Sequence, residues 1–306
     1  MTVRNFLFHR VSDEDDSLWP PMRISLFEKT IKYLRGRFAV VLLEDFLKEP
    51  GAYKNEKNLV TVSFDDGYKD NFLYALPLLE KYHCPASFYV VTDCIDRDIP
   101  TWTYLVDSIF QKTAKGNVEL MDDFVPAEFK KLEWNDLLKA EQIGRKVKPW
   151  MKQLPNRKRL WVMDQLYGIG EFNTGDNKMM NWSDLRELKN AGYYIGSHSH
   201  THPLLARLED ENEISLELEN SSDRILKELG HKPETISYPI GSWDQRVISL
   251  SQRAGYNWGL AVEQRFYQPL KDNRMIIPRV ELYNEHWAKT VLRITGIYQK
   301  VRKLVK

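Results

Sequence analysis

The sequence has few cysteines, almost no net charge and no long apolar run, and each of these absences excludes a class of protein. Cys84 and Cys94 are the only cysteines among 306 residues; their spacing fits neither a disulfide framework nor a CxxC metal motif, and we expect two buried thiols. Lysine plus arginine number 44 against 43 aspartate plus glutamate, so a net charge of +1 gives no field that favours nucleic acid as a partner. The longest aliphatic run, residues 39–43, is far shorter than the roughly 20 residues of a membrane-spanning helix.

The two ends of the sequence favour a cytoplasmic protein. Residues 6–8 are apolar, but the acidic run 13–16 follows so closely that the apolar core of a signal peptide does not fit. The last residues, 289–306, are basic, carry no acidic residue and repeat apolar side chains at helical spacing. Such a helix can lie on the inner face of a membrane as a peripheral contact, or it can pack on the domain with its lysines in water.

The composition is that of a globular protein with many aromatic side chains. Apolar residues make up 42% and charged residues 28%, which supplies both a core and a solvated surface. The length fits one α/β barrel with an insertion. Nine tryptophans and 15 tyrosines suit a pocket that binds sugar rings, although most should belong to the core.

Short apolar strands alternate with segments of helical periodicity through most of the chain, which predicts a parallel sheet. The alternation fails between about residues 95 and 180, where charged stretches over 127–143 and 156–167 predict a helical insertion. The predicted strands are 6–8, 40–43, 60–64, 86–91, 193–197, 235–238, 258–262 and 275–277.

Polar clusters follow three of these strands, at the end where α/β barrels place their active sites. They are Asp65–Asp66, His198–His202 and Tyr238–Asp244. A catalytic zinc site needs three protein ligands and an open position, and two imidazoles with one carboxylate satisfy it. Taken singly, each cluster also fits an ordinary surface turn, because aspartate and glycine favour turns and histidine-rich turns occur without a metal.

Taken together, two of these clusters resemble the metal-binding motifs of the polysaccharide deacetylases of carbohydrate esterase family 4. Residues 61–67, TVSFDDG, are similar to the first motif, and residues 198–202, HSHTH, are similar to the second. The resemblance covers roughly residues 1–95 and 180–280, with supporting similarity at 70–71, 76–79, 85–90, 182–192 and 238–241.

The resemblance implies a distorted (β/α)7 barrel, with residues 1–306 as a single domain. It implies one divalent metal ion held by Asp66, His198 and His202, with Asp65 as the general base. Zinc is the default for two imidazoles and one carboxylate, and the same ligands also suit cobalt, nickel or iron. The implied activity is removal of N-acetyl groups from a hexosamine in the biosynthesis or modification of a bacterial surface polysaccharide. The implied partner is an acetylated carbohydrate, which a cytoplasmic enzyme could meet in lipid-linked form.

Two alternatives remain open at this stage. A carbohydrate O-acetyl esterase would use the same metal-assisted attack of water, and the sequence does not separate it from an N-deacetylase. A catalytically silent sugar-binding relative would keep the fold without turnover. The intact Asp65, Asp66, His198 and His202 argue against the silent relative.

The chain departs from the family pattern at the general acid. Many members carry this histidine in a C-terminal Leu-x-His motif, but His286 lacks the leucine two positions earlier. Residues 6–11 instead resemble the N-terminal segment of the branch that includes exopolysaccharide poly-N-acetylglucosamine deacetylases, where the acid follows the first strand. We therefore expect His9 to be the acid, with His286 as the reserve candidate.

A second departure lies near residue 239, where many members have an arginine just before the proline. Here residues 235–239 read TISYP, and we expect Arg279 to pair with Asp65 instead and to lower its pKa. The backbone around Pro239 is a candidate oxyanion donor. Tyr238 and Trp243 can stack on a sugar or simply pack in the core.

Overall fold

Parallel strands that close into a ring form the centre of the molecule. The computed structural model describes residues 1–169 and 177–298. In chain order the strands are β1 (Val3–Phe8), β2 (Ala39–Val40), β3 (Leu59–Phe64), β4 (Ser87–Val90), β5 (Gly116–Glu119), β6 (Lys131–Trp134), β7 (Tyr194–Ser197), β8 (Thr235–Ser237), β9 (Trp258–Val262) and β10 (Ile277–Glu281).

The ring has the strand order β1-β10-β9-β8-β7-β4-β3, and β3 pairs again with β1. Both closing contacts are parallel: Leu7 is in register with Glu281 on β10, and Phe8 is in register with Phe64 on β3. The short β2 pairs with β3 outside the ring. The (β/α)7 barrel predicted from the sequence is therefore confirmed.

Helices surround the barrel and follow most of its strands. They are α1 (Ile24–Arg37), α2 (Leu43–Lys48), α3 (Leu76–Lys81), α4 (Thr92–Arg97), α5 (Trp102–Lys112), α6 (Leu137–Met151), α7 (Asn156–Tyr167), α8 (Trp182–Asn190), α9 (Glu211–Leu229), α10 (Gln245–Arg253) and α11 (Trp287–Thr295). Local signals set several of their ends. Asn181 and Asp184 form a capping box at the start of α8, and Gly230 ends α9 with a left-handed φ of 70°.

Two predicted strands have different bounds in the structure. The apolar run 40–43 contributes only Val40 to β2, because α2 begins at Leu43. The prediction for residues 275–277 stops where β10 begins, since β10 runs from Ile277 to Glu281. Pro278 and the charged side chains after it hid the strand, because a sequence pattern reads charge and proline as the end of a buried strand.

The segment between β4 and β7 contains helices and an antiparallel pair of strands, β5 and β6. The helix predicted over 127–143 is wrong in its first half: residues 131–134 form β6, with alternating buried and exposed side chains, and α6 begins at Leu137. The helix predicted over 156–167 is confirmed as α7. The segment has its own apolar core, which includes Phe110, Trp134 and Val147.

Both cysteines are free and buried, as the sequence predicted. Within the ranges 1–169 and 177–298, no helix combines the length and apolar character needed to cross a membrane. Helix α11 ends at Thr295, and residues 299–306 lie outside the described residues. The basic helix over 289–306 and its membrane contact therefore stay predictions.

Candidate metal centre and active site

Three predicted metal ligands converge at the carboxyl ends of the barrel strands. Asp66 follows β3 and His198 follows β7, with β4 between them in the sheet, and His202 lies four residues further along the same loop. One ligand atom from each of Asp66, His198 and His202 lies within 4.8 Å of the others, and all three residues are buried. The parallel sheet thus brings together two motifs that are more than a hundred residues apart in the sequence.

Unusual backbone conformations aim these side chains at one another. Asp66, Ser199 and His202 have positive φ values of 76°, 65° and 62°, a region that costs a non-glycine residue about 1–3 kcal/mol. Local hydrogen bonds hold the strained loop: the His202 N–H donates to Ser199 Oγ (3.1 Å), and the indole N–H of Trp102 donates to the His202 carbonyl oxygen (3.1 Å). The surrounding structure therefore fixes the ligand positions in advance.

The donor set fits a divalent cation. His198 Nδ1 lies 2.7 Å from the Ser237 carbonyl oxygen, which can only accept, so the proton is on Nδ1 and Nε2 carries a lone pair. His198 Nε2 and His202 Nε2 each lie 3.3 Å from Asp66 Oδ1. Asp66 Oδ1 is buried and has no hydrogen-bond partner among the described residues. A cation between the three atoms would satisfy them all, as in three-ligand catalytic zinc sites.

Asp65 lies behind the metal cluster and is held by Arg279. The guanidinium donates to both carboxylate oxygens, at 2.8 Å to Oδ1 and 2.7 Å to Oδ2, and Ser237 Oγ donates to Oδ2 at 3.0 Å. Burial alone would raise the pKa of Asp65, but the charge of Arg279 holds it below its usual value. Arg279 therefore makes the contact expected from the sequence, and Asp65 is ionised at neutral pH.

His9 reaches the same end of the barrel from the strand that pairs with β3. It follows β1, and its Nδ1 lies 3.2 Å from Glu281 Oε1 on β10. Burial lowers the pKa of His9, but Glu281 and the nearby carboxylates outweigh that effect and raise the pKa to about 9. His9 is thus a proton donor at neutral pH. The sequence analysis did not predict a role for Glu281. Glu281 lies two residues after Arg279 on β10, and residues two apart lie on the same face of a strand.

A pocket of about 170 Å³ opens over this cluster. It is lined by His9, Asp66, His198, His202 and the candidate oxyanion residue Ile240, together with residues that the sequence did not predict: Trp19, Thr103, Lys148, Lys152, Val262 and Glu281. The Trp19 ring centre lies 5.5 Å from that of His9, in an edge-to-face arrangement. The two lysines belong to the insertion. No local sequence motif predicts that this segment contributes to the pocket.

The predicted substrate residues correspond only in part to this pocket. Tyr238 is fully buried in a core cluster, so the prediction that its ring could stack on a sugar is wrong. Trp243 is half-buried, packs against the same cluster and does not line the pocket. Pro239 is buried and has no N–H, and the Gly241 N–H donates to the Tyr238 carbonyl oxygen, which leaves the Ile240 N–H as the candidate oxyanion donor of this segment.

The reserve acid, His286, does not reach the pocket. It is exposed, and its Nδ1 accepts a hydrogen bond from the Ala288 N–H at the start of α11. This is the role of a helix cap. The structure thus brings His9 to the metal cluster and places His286 elsewhere.

Comparisons with known proteins identify relatives of this chain. A family model described as polysaccharide deacetylase matches residues 52–131 and 169–259. The chain is 21% identical over 299 residues to poly-beta-1,6-N-acetyl-D-glucosamine N-deacetylase of Staphylococcus aureus (strain MRSA252), covering 97% of this chain and 80% of that one.

Solved structures share the fold. The Streptococcus pyogenes deacetylase PplD in complex with acetate superposes with a TM-score of 0.64 at 14% identity, covering 96% of this chain and 98% of the other. IcaB from Ammonifex degensii superposes with a TM-score of 0.63, also at 14% identity, covering 96% of this chain and 97% of the other. At such identities the likeness shows the fold.

Proposed function

The chain belongs to the polysaccharide deacetylase family, and from that premise we propose that it is a metal-dependent enzyme that hydrolyses N-acetyl groups of a hexosamine in a bacterial surface polysaccharide. The observation that carries the proposal is the convergence of Asp66, His198 and His202 beside two further groups of opposite role, an ionised Asp65 and a protonated His9. The relative from Staphylococcus aureus, whose name specifies poly-N-acetylglucosamine, supports an N-acetyl substrate.

Asp66, His198 and His202 would hold the metal, and we propose zinc because two imidazoles and one carboxylate form a common catalytic zinc site. When bound, such an ion polarises the acetyl carbonyl and activates a water molecule. The hydrogen bond from His198 Nδ1 to the Ser237 carbonyl keeps Nε2 free to bind it.

Asp65 is the proposed general base. Its Oδ2 lies 4.0 Å from His198 Nε2, which makes it the carboxylate oxygen beside the ligand atoms. Arg279 keeps Asp65 ionised and fixes the plane of the carboxylate. Asp65 can therefore take the proton of the attacking water without rotating.

His9 is the proposed general acid. The leaving group of an amide is a poor one until its nitrogen is protonated, and His9 carries a proton at neutral pH. Glu281 holds the imidazole through Nδ1, so the other nitrogen of the ring, Nε2, is the one that would donate to the leaving amine. Trp19 beside it offers an aromatic face for a sugar ring.

The experiment measures acetate release from matched N-acetylated and O-acetylated hexosamine oligomers, with purified protein of known metal content. We expect release from the N-acetylated oligomers, with loss after chelation and in Asp65→Asn, a variant that keeps the shape of the side chain. Release from the O-acetylated oligomers alone would establish an esterase. Sugar binding without release from either, at one metal per chain, would establish a silent relative.

A further inference from the structure

A second cavity, of about 480 Å³, lies beside the metal site. It is separate from the metal pocket but borders the same loop, since Thr201, which lines it, directly precedes His202. Trp102 forms part of its wall, and the indole N–H of that residue donates to the His202 carbonyl oxygen. Helix α7, from the insertion, supplies another wall through Arg159.

Arg159 is a buried cation that faces this cavity. It is 4% exposed, and its Nε is buried without a hydrogen-bond partner. One amino group donates to Asn156 Oδ1 at 2.5 Å, and the guanidinium lies 4.6 Å from the centre of the Trp102 ring. Burial lowers the pKa of Arg159 to about 10, so the side chain keeps its charge at neutral pH.

The nearby carboxylates are engaged elsewhere. Asp93 also lines the cavity, but it forms an ion pair with Arg97 on the next turn of the same helix. Glu217 accepts hydrogen bonds from the His200 N–H, the Thr201 N–H and the Thr201 hydroxyl. Across residues 1–169 and 177–298, Arg159 has no carboxylate within ion-pair distance. Among these residues Arg159 therefore has no ion-pair partner, and the only carboxylate whose charge acts on it from a longer distance is that of Glu217.

We propose that this cavity binds an anionic group of the glycan substrate, a carboxylate or a phosphate, on the guanidinium of Arg159. The planar fork of an arginine matches both anions, and burial makes the pairing stronger than it is in water. The proposal rests on the proposed deacetylase function, because the anion would be carried by the glycan whose acetyl group enters the metal pocket. A neutral poly-N-acetylglucosamine would leave the buried charge without a partner, which is unfavourable.

The position of Trp102 links the two cavities. Its ring packs on Arg159 while its N–H holds the loop that carries His202. An anion bound on Arg159 therefore lies one aromatic ring away from the loop of the metal ligands. The insertion also brings Lys152 to the metal pocket, where burial lowers the pKa of its amine, so both cavities contain a cation from the same segment.

The test compares acetate release from oligosaccharides of equal length: a neutral N-acetylglucosamine oligomer, one that alternates N-acetylglucosamine with a uronate, and one that bears a phosphate ester. We expect the wild-type kcat/KM to be at least about tenfold higher for one of the anionic substrates, and Arg159→Gln to remove that preference. The two anionic arms distinguish a carboxylate from a phosphate. Arg157→Gln, an exposed arginine of the same helix, is the matched control and should keep the preference.

Equal losses of kcat/KM by Arg159→Gln on neutral and anionic substrates, or a wild type that prefers the neutral oligomer, would overturn the proposal. The melting temperature of Arg159→Gln should be at or above that of the wild type, because an unpaired buried charge is removed. A lower melting temperature together with a loss on every substrate would instead assign Arg159 to the core and overturn the proposal.

Direct binding separates this inference from the proposed function. Calorimetric titration of the wild type with the uronate oligomer and with inorganic phosphate needs no turnover. If no substrate releases acetate but one of these anions binds and Arg159→Gln abolishes the binding, the cavity is an anion site and the deacetylase function fails. If acetate is released and neither anion binds, the function stands and the anion site is refuted.

Discussion

Removing Arg279 should destabilise the protein more than any substitution on its surface, because it leaves a charge buried. Arg279 is fully buried and donates to both oxygens of Asp65, which is itself 1% exposed. Breaking a buried ion pair from one side costs about 3–5 kcal/mol of unfolding free energy, since the remaining charge has no counterion. We expect a loss of this size for Arg279→Gln at pH 7. Arg274→Gln, an exposed arginine just before β10, should change stability by about 0.5 kcal/mol or less.

The loss should depend on pH with a definite sign. In the wild type the folded pKa of Asp65 is lowered, so its stabilising contribution is present above its unfolded pKa and is lost as the pH falls through the folded value. Without Arg279, burial raises the folded pKa of Asp65 above its unfolded value. The variant then loses stability as the pH rises through that raised value. The difference between the two proteins should therefore shrink in acid.

Urea unfolding of chelated protein measures both effects, because removal of the metal isolates the ion pair from metal binding. The double variant Asp65→Asn/Arg279→Gln is the decisive companion, since replacing both charges should recover part of the stability lost in the single variant. A cost of about 1 kcal/mol or less for Arg279→Gln would contradict the reasoning. So would a double variant whose cost is the sum of the two single costs.

Further predictions concern the metal, the acid and the core. His202→Ala should lower the metal content of purified protein, whereas His200→Ala should not, because His200 Nδ1 is paired with Thr92 Oγ1 instead. Elemental analysis measures the metal content, and an unchanged content in His202→Ala would show that His202 is not a ligand. The kcat should fall as the pH rises through about 9, where His9 loses its proton. Glu281→Gln should move this alkaline limb of the pH–rate profile to lower pH, because Glu281 raises the pKa of His9. An alkaline limb at unchanged pH would exclude His9 as the acid. Tyr238→Ala should cost about 3–5 kcal/mol of unfolding free energy, because the ring belongs to the core. Tyr238→Phe should leave the KM for substrate unchanged, and a raised KM in this variant would show that Tyr238 contacts the substrate.

The position of the metal ligands at the barrel end could be predicted from the sequence because that signal is local, whereas their role as ligands came from the family resemblance. Asp65 and Asp66 directly follow β3, and His198 directly follows β7. The position of each side chain at the barrel end could therefore be predicted from the strand pattern, without knowledge of tertiary contacts. Tyr238 was misassigned for a related reason. Ser237, the last residue of β8, donates a hydrogen bond to Asp65. Successive side chains of a strand point to opposite faces, so the ring of the next residue, Tyr238, lies on the other face and packs in a core cluster.

Glu281 and the insertion could not be predicted in the same way, because their places depend on distant contacts. Glu281 meets His9 only because the first and last strands of the barrel pair, with Leu7 in register with Glu281. Lys148 and Lys152 reach the metal pocket only because α6 packs on α5 and is hydrogen-bonded through Arg145 to Ser17, in the loop after β1. No periodicity within either segment contains this information.

Barrel closure is therefore part of the proposed chemistry as well as of the fold. The proposed general acid, His9, follows β1, and the residues that hold the proposed base and acid, Arg279 and Glu281, lie on β10, the strand that pairs with β1. Of the metal ligands, Asp66 follows β3, the other neighbour of β1 in the ring, and both histidines follow β7 further round it. A proton acceptor and a proton donor can be held beside one set of metal ligands in this way because a closed parallel barrel brings the carboxyl ends of all its strands to one rim. Neither group would keep its shifted pKa without its partner on β10, so the acid–base assignment depends on the closed ring.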